Sequence, residues 1–326
     1  MKSAGGRGLV LFEPWNLGDV MIAAAALREL EQPAALACHA MWHPLLRRAL
    51  AEIPGLDLLA VNLPYTTRQR ANPFDAGVSA AAEKYPGADE VLSIRGDLRD
   101  FAAARKIFPR ARLRMKGWAR FFGRKNALIN LPYATGILPV QNRYRSWAKL
   151  AGVDYTQMEA TYRRRQAQVP ATDRVVIHIG AQWRSKQFPD VGGLRNAFRD
   201  QGSEVVILAG QRDLLPPALE ERDVQRVADE ALVEALRSAA HVITNDSGPM
   251  HVAAFLGCRT TVLVRTSPIE EWAPPATTII RSPETPCGYR PNRHYMSDEI
   301  LSGWTPIETV IREILDANLA MADKEK

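Results

Sequence analysis

Short apolar runs alternate with amphipathic segments of helical length along the chain. This alternation is typical of βαβ units, because a parallel strand needs a long crossover, usually a helix, before the next strand can pair with it. In the first half the predicted strands are GLVLFE, AALAC, LDLLAV, EVLSI and ALIN, and the predicted helices span residues 20–31, 43–52, 97–106 and 143–151. In the second half the predicted strands are RVVIHI, SEVVIL, HVITN, TTVLV and TTIIR, and the predicted helices span residues 190–201, 230–239, 249–257 and 305–319. The pattern therefore predicts an α/β protein with two doubly wound, Rossmann-like domains.

The polar, basic segment YRRRQAQVPATDR separates the two series of strands and is predicted to be the interdomain linker. We therefore expect an amino-terminal domain at residues 1–165, a second domain at 166–304 and a closing helical segment at 305–326. With 326 residues, 46% of them hydrophobic, and no low-complexity tract, the chain should fold throughout.

The composition points to the cytoplasm. The chain contains no apolar run of 18 or more residues, and the short LVLF run near its start is interrupted by Glu13, so neither a transmembrane helix nor a signal peptide is expected. Three scattered cysteines are too few for a disulfide framework or a cysteine-rich zinc site.

The net charge of +6 is unevenly distributed. Residues 1–165 contain 25 basic and 14 acidic side chains, whereas the remainder contains 17 and 22. Much of the excess lies in residues 95–125, where basic side chains alternate with Phe and Trp. Such a segment suits a phosphorylated substrate, an anionic membrane face or nucleic acid, and it is equally compatible with a solvated helix face. No nucleic-acid-binding motif accompanies it, so nucleic acid is not expected as a partner.

Small and polar residues follow four predicted strands of the second domain. The carboxyl ends of parallel strands meet at one edge of the sheet, where open α/β folds bind ligands. Glycine there allows close approach of a ligand to the backbone. The loops that we assign to this edge begin at Gly180, Ala209, Asn245 and Arg265, and we include Gly180 and Thr266 in a predicted binding site.

The segment VITNDSGPMHVAAFLG describes a strand that passes directly into a helix. Pro249 suits the first helical turn, so Ser247 or Gly248 is predicted to be the N-cap. The free N–H groups and the helix dipole would then favour an anion, best a phosphate, with His251 donating an N–H to it. Asp246 is expected to orient the turn or a sugar hydroxyl. Plain capping of a buried helix is the alternative.

Two charged residues of neighbouring loops extend this hypothesis. Lys186 can neutralise a diphosphate leaving group, and Asp213, just after a glycine, is placed like the acidic residue that contacts a ribose in many nucleotide sites. Both could instead be surface charges on loops. Together with the helix start, they predict a pocket for a nucleotide diphosphate.

The first domain repeats the strand–loop–helix pattern with Asn16, Gly18 and Asp19 at the start of a helix rich in Ala, Ile and Leu. Asp19 can cap the first turn, or it can act as a general base if an acceptor hydroxyl lies within hydrogen-bond distance. The GGRG at residues 5–8 precedes the strand and is therefore not a dinucleotide-binding fingerprint.

These motifs resemble those of glycosyltransferase family 9, the ADP-heptose:lipopolysaccharide heptosyltransferases. The resemblance follows the chain in order and is strongest at about residues 174–275. The segments that carry it are NLGDVMIAAAALREL, HIGAQWRSKQFP, VVILAGQRD, AAHVITNDSGPMHVAAFLGCRTTVLVRTSPIEEWAP and the region of Cys287.

The resemblance implies a GT-B fold whose amino-terminal domain binds the acceptor and whose carboxy-terminal domain binds the nucleotide sugar across a cleft. It also implies inverting, metal-independent transfer without a cofactor, and a final helix that packs back towards the first domain. The expected substrates are ADP-heptose and a lipopolysaccharide-core or related anionic glycan, with peripheral contact to the inner face of the cytoplasmic membrane.

Carried over residue by residue, Asp19 matches the catalytic base and Lys186 the lysine that contacts donor phosphate. Ser247, Gly248 and His251 match the diphosphate-binding turn, and Asp213 lies near the acidic ribose or base contact. Asn16 and Gly18, which neighbour Asp19, are assigned to the acceptor, and Asp246 is assigned to the donor.

Two departures from the family pattern accompany the match. Val264-Arg265 stands where many relatives have Gly-Pro, and Glu13-Pro14-Trp15 stands where relatives often carry a basic residue. Two other functions fit the same residues: a nucleotide-sugar epimerase, and a catalytically silent protein that binds a nucleotide or a glycolipid. The small number of histidines in the relevant loops disfavours the epimerase, and Asp19 disfavours the silent protein.

Overall fold

The structure is a computed structural model that describes residues 8–61, 87–94, 98–115, 141–168, 172–217, 219–265, 267–282 and 303–322. The predicted strand ALIN, residue Thr266 and the region of Cys287 lie outside the described residues. The chain divides into two compact units, Met1–Met158 and Glu159–Lys326.

The first unit contains a five-stranded parallel sheet with the order β3-β2-β1-β4-β5. Its strands are β1 (Gly8–Phe12), β2 (Ala34–His39), β3 (Asp57–Val61), β4 (Ala88–Ser93) and β5 (Arg112–Met115). Its helices are α1 (Leu17–Arg28), α2 (His43–Ala49), α3 (Leu98–Ile107) and α4 (Arg143–Ala151), and α5 (Tyr155–Gln166) passes into the second unit.

Helix α1 is apolar on all sides because it is buried on all sides. Ten of its twelve residues are buried, and it packs on β2 and on α4. One hydrophobic cluster of this unit lies between the sheet and α3, where Val10, Phe12 and Val91 meet Ala104 and Ile107.

The second unit contains a six-stranded parallel sheet with the order β11-β10-β9-β6-β7-β8. Its strands are β6 (Arg174–His178), β7 (Glu204–Gly210), β8 (Gln225–Val227), β9 (His241–Asn245), β10 (Arg259–Val264) and β11 (Thr278–Arg281). Its helices are α6 (Val191–Asp200), α7 (Asp229–Arg237), α8 (Gly248–Leu256), α9 (Ile269–Trp272) and α10 (Ile307–Ala322), and a short 3-10 turn spans Arg184–Lys186.

The last helix, α10, packs on its own unit. Val310 and Ile314 are buried in the same core as Ile177, Phe198 and Ile280. The predicted packing of this helix towards the first domain stays a prediction.

The segment predicted to be a linker begins inside helix α5. Its arginines suggested an exposed connection, but Met158, Tyr162 and Gln166 are buried at a spacing of four residues, which places them on one face of a helix. Two short strands were also missed. Strand β5 alternates basic and apolar residues, and β8 has only three residues, so neither shows the apolar run of a buried strand.

Among the described residues, no helix is long and apolar enough to cross a membrane.

Candidate active site

In the second sheet, successive strands are added first on one side of β6 and then on the other. Chain order runs from β6 to β7 and β8 on one side, and from β9 to β10 and β11 on the other. Open α/β sheets bind ligands at this switch point, outside the carboxyl ends of the strands. The loops that follow β6, β7, β9 and β10 carry the predicted donor-site residues, and all four strands are parallel, so these loops share one edge of the sheet.

Lys186 and Asp246 form an ion pair at this edge. The Nζ atom of Lys186 donates to Oδ2 of Asp246 at 2.7 Å, and the two side chains are only 16% and 8% exposed. Burial acts to raise the pKa of Asp246, but the charge and hydrogen bond of Lys186, a hydrogen bond from Ser267 and the charge of His251 together lower it. Lys186 is therefore not a surface lysine. Its ammonium group is in direct contact with the Asp246 carboxylate at this edge of the sheet.

Two buried amides connect the loops that carry this pair. Asn245 accepts from the backbone N–H of Phe188 at 2.9 Å and donates to the carbonyl of Ile179 at 3.0 Å. Gln187 donates to the carbonyls of Ile179 and Leu214, at 3.3 and 2.9 Å. Neither amide was predicted as a site residue, although Asn245 precedes Asp246 in the most specific motif. Their bonds hold three neighbouring loops in one arrangement.

Helix α8 begins at the carboxyl end of β9, as predicted. Ser247 is the N-cap, with extended backbone, which resolves the choice between Ser247 and Gly248. Its side chain makes no capping bond, and its Oγ lies 3.4 Å from the carbonyl of Asn245. Because the Ser247 side chain does not bond to the first N–H groups of the helix, this helix start is compatible with a bound anion. His251 is buried in the first turns of the helix.

Asp213 closes the loop after β7 on itself. Its Oδ2 atom accepts from the backbone N–H of Gly210 at 2.7 Å. Gly180 lies against the same carboxylate, because a Cβ atom at Gly180 would stand 2.0 Å from Oδ2 of Asp213 and 2.6 Å from the ring of His178. The structure therefore brings Gly180 and Asp213 together, across the neighbouring strands β6 and β7.

His178 is the last residue of β6 and was not predicted to belong to the site. It is 4% exposed, and burial lowers its pKa to about 4 against the opposing charge of Asp213. The imidazole is therefore neutral at pH 7.

A depression of about 120 Å³ opens beside Asp213. Arg184 and Arg212 contribute two guanidinium groups to its wall, and Asp213 contributes a carboxylate. The other lining residues are Ala181, Gln182, Gln187 and Leu214. The loop after β10 adds Arg265 and Ser267, both buried, while Thr266 lies outside the described residues.

In the first unit, Asp19 lies in the first turn of α1 and is 6% exposed. Its Oδ1 atom accepts from Nη1 of Arg143 at 3.2 Å, and Arg143 is itself 9% exposed. Asn16 is the N-cap of α1 and is exposed, but its side chain makes no capping bond. Arg143 was missed because it is 124 residues away in sequence, at the start of a helix that packs on α1.

The loop between β1 and α1 is held from two sides. Nε1 of Trp15 donates to Oδ1 of Asp100 at 3.0 Å, and Nε1 of Trp42 donates to the carbonyl of Trp15 at 2.9 Å. Asp100 is fully buried in the first turn of α3, and Oγ of Ser93 lies 3.5 Å from its other oxygen. These contacts gather residues from the carboxyl ends of β1, β2 and β4.

Comparison with solved structures identifies the class of fold. The chain matches Escherichia coli ADP-heptose LPS heptosyltransferase II with a TM-score of 0.60 at 16% identity, covering 98% of this chain and 100% of that one. It matches the family 9 glycosyl transferase of Veillonella parvula DSM 2008 with a TM-score of 0.64 at 17% identity, covering 97% and 98%. It matches E. coli heptosyltransferase WaaC, solved with ADP, with a TM-score of 0.57 at 14% identity, covering 96% and 98%. The fold is therefore GT-B, as predicted.

A family model matches part of the chain by sequence. Residues 148–296 match the model of glycosyltransferase family 9 (heptosyltransferase). This match confirms the resemblance over the segment that contains the Lys186 loop and the Asp246 turn, and the chain is a glycosyltransferase. No curated protein matches the chain by sequence.

Proposed function

We propose that this protein transfers heptose from ADP-heptose to a lipopolysaccharide-core or related glycan acceptor, with inversion at the anomeric carbon. The observation that carries the proposal is the Lys186–Asp246 pair beside the start of α8, at the switch point of the second sheet. The family model matches this segment, and the solved structure of WaaC contains ADP.

The donor diphosphate would occupy the start of α8. The first N–H groups of the helix and the ammonium of Lys186 are the donors that a diphosphate needs, and they are fixed before it binds. In this proposal Asp246 holds Lys186 in place, His251 donates to a phosphate oxygen, and Asp213 contacts the ribose.

The transfer itself needs a base and a stabilised leaving group. Asp19 would take the proton from an acceptor hydroxyl, and the resulting oxygen would attack the anomeric carbon from the face opposite the diphosphate. As that bond forms, the bond from the anomeric carbon to the diphosphate oxygen breaks, and ADP leaves with the electron pair. Lys186 and the start of α8 would stabilise the added negative charge. Arg143, bound to one oxygen of Asp19, would orient the carboxylate.

The acceptor is assigned to the first unit, where Asn16 and Gly18 border Asp19. The net charge of +11 on residues 1–165 favours an anionic glycan or glycolipid and peripheral contact with an anionic membrane surface.

Calorimetric titration with ADP tests the donor site. We expect Lys186→Ala to weaken ADP binding by about 10- to 100-fold, because one charge-assisted contact is lost. Lys149→Ala is the matched control. Lys149 is an exposed lysine of the first unit, so this variant should bind ADP as the wild type does. UDP, GDP and dTDP are titrated in parallel. Preference for one of these three nucleotides would replace ADP-heptose with another donor, and failure of the wild type to bind any of the four nucleotides, ADP included, would overturn the proposal.

A second variant tests the proposed role of Asp19 as the general base. Asp19→Asn should bind ADP normally but lower the transfer rate by about 10²- to 10⁴-fold, the usual contribution of general base catalysis. A transfer rate near that of the wild type would remove Asp19 from the mechanism.

A further inference from the structure

The loop after β7 is held at both of its ends by one side chain. Nη1 of Arg226 donates to the carbonyls of Gly210 and Asp213, each at 2.7 Å, and so connects the end of β7 to the residue that closes the loop. The backbone N–H of Asp213 donates to the carbonyl of Gly210 at 3.2 Å, and the Asp213 carboxylate accepts from the N–H of Gly210 at 2.7 Å. These hydrogen bonds together determine where the Asp213 carboxylate lies.

The guanidinium group of Arg226 is itself oriented by an acidic partner. Its Nε and Nη2 atoms donate to the two carboxylate oxygens of Glu221 at 3.1 and 2.7 Å, which is the bidentate arrangement. Arg226 is the central residue of β8, and it lies opposite Ala209 of β7 in the sheet. A sheet strand and a bidentate carboxylate therefore direct Nη1 towards the loop. The planar fork of arginine can contact a carboxylate and two carbonyls at once, whereas lysine has a single nitrogen.

The Asp213 carboxylate lies in a closely packed position that this support maintains. A Cβ atom at Gly180 would stand 2.0 Å from its Oδ2 atom, and one at Gly210 would stand 3.1 Å from the same oxygen. The hydrogen bond to Glu221 raises the pKa of Arg226 against the effect of burial, and the charge of Asp213 acts in the same direction. Because a displacement of about 1 Å can cost about 10²-fold in a positioned group, Asp213 should function only while the loop keeps this form.

We propose that Arg226 is a positioning residue of the donor site, which acts through Asp213 and determines how strongly the site recognises the ribose hydroxyls of the nucleotide. This inference rests on the proposed function, which assigns the ribose contact to Asp213. Arg226 fixes the loop from behind, and Glu221 fixes Arg226. Selectivity for an intact ribose therefore depends on an ion pair whose members need not contact the nucleotide.

Arg195 offers a matched comparison in the same unit. A 3-10 turn spans Glu221–Asp223, and Nη1 of Arg195 donates to Oδ1 of Asp223 at 2.7 Å. The side chains of Arg195 and Arg226 are similarly exposed, at 22% and 24%. Both arginines thus pair with the same turn, but the hydrogen bonds of Arg226 extend to the loop after β7. Replacing each in turn separates support of the 3-10 turn from support of the loop.

Calorimetric titration with ADP and with its two monodeoxy forms, which lack one or the other ribose hydroxyl, tests this inference. The measured quantity is the discrimination ratio, the Kd of the weaker deoxy nucleotide divided by the Kd of ADP. We expect a ratio of about 10 in the wild type, because a hydroxyl bound to a carboxylate makes a charge-assisted hydrogen bond. Arg226→Met keeps an unbranched apolar side chain and should reduce the ratio to about 2 or less, since that bond is lost. General damage would weaken all three nucleotides alike and leave the ratio unchanged.

Three further variants separate positioning from folding. Arg195→Met should keep the wild-type ratio, because it removes a contact to the 3-10 turn only. Arg226→Lys keeps the charge, but its ratio should still fall by about threefold or more, since one ammonium cannot replace the guanidinium fork. Asp213→Asn should lose the discrimination by itself. In that background, Arg226→Met should change the Kd of ADP by less than about twofold, because residues that act as a unit are not additive.

Several results would overturn the inference: a wild-type ratio in Arg226→Met or Arg226→Lys, an equal loss of discrimination in Arg195→Met, or a full additional loss of ADP affinity in the Asp213→Asn background. Equal binding of ADP and both deoxy forms by the wild type would also overturn it. The wild type still binds ADP in all of these cases, so the proposed donor site remains. Wild-type protein that binds none of the nucleotides removes the donor site itself.

Discussion

Gly180 shows how one residue can determine the geometry of the carboxyl edge of the second sheet. The position after β6 has no room for a side chain, since a Cβ atom would stand 2.0 Å from Oδ2 of Asp213 and 2.6 Å from the His178 ring. The absence of a side chain lets the loops after β6 and β7 approach each other. The sequence suggested the need for glycine at this edge but not its partners.

Gly180→Ala should therefore displace Asp213 and weaken ADP binding by about tenfold or more, because the carboxylate loses its place beside Gly210. The matched control is Gly192→Ala. Gly192 lies in α6 with no atom within 4 Å of an added Cβ, and alanine should stabilise the helix by up to about 1 kcal/mol. Calorimetry and denaturant unfolding measure the two effects. Unchanged ADP affinity in Gly180→Ala would contradict the prediction.

At the scale of an element, α8 is defined by its two ends. It begins at Ser247, and it ends at Gly257, which has a φ of +86°. The left-handed conformation disfavours a side chain, and here a Cβ atom would also stand 2.8 Å from Cβ of Arg165. The close approach of α5 and α8 thus depends on this glycine.

Gly257→Ala should cost more stability than Gly152→Ala. Gly152 ends α4 with a φ of +77° and has no atom within 4 Å of an added Cβ, so only the left-handed strain of about 1–2 kcal/mol applies there. Gly257→Ala should lose at least about 1 kcal/mol more, because the helices must also separate. Urea unfolding of both variants measures the difference, and equal losses would show that the contact with Arg165 is easily relieved.

For the whole molecule, two buried histidines make stability depend on pH. Burial lowers the pKa of His178 to about 4, and burial with the charge of Arg259 lowers the pKa of His241 to about 3. Between their ordinary value of 6.5 and these values, the unfolded chain binds protons that the folded chain does not. Stability must therefore fall as the pH decreases through this window, by up to about 1.4 kcal/mol per pH unit for each histidine.

His241→Gln should reduce this dependence. The variant loses the titrating ring, so the difference in unfolding free energy between pH 7 and pH 5 should be smaller than in the wild type, whatever the cost at pH 7. Thr261→Val is the control, because it removes the hydrogen-bond partner of His241 at 2.9 Å but keeps the ring. The control should lose equal stability at both pH values. Denaturant unfolding at each pH measures these free energies. An equal change in unfolding free energy between pH 7 and pH 5 in His241→Gln and in the wild type would refute the linkage.

Much of the fold was predictable because parallel strands are short apolar runs separated by helices, and this pattern is local. The strands β6, β9 and β10 and the helices α4, α6, α7 and α8 begin and end within about two residues of their predicted limits. The prediction missed β5, β8, α5 and the four-residue helix α9, whose residues are polar or too few to produce that pattern.

By itself, the sequence determined the order of strands and helices, the N-terminal turn of α8 and the resemblance to glycosyltransferase family 9, because each depends on neighbouring residues. Only the tertiary structure decided which side chains meet: Lys186 with Asp246, Asp19 with Arg143, and Trp15 with Asp100. These partners are 60, 124 and 85 residues apart. No local pattern can specify such pairs, since parallel strands and helix packing bring distant loops to one edge of each sheet.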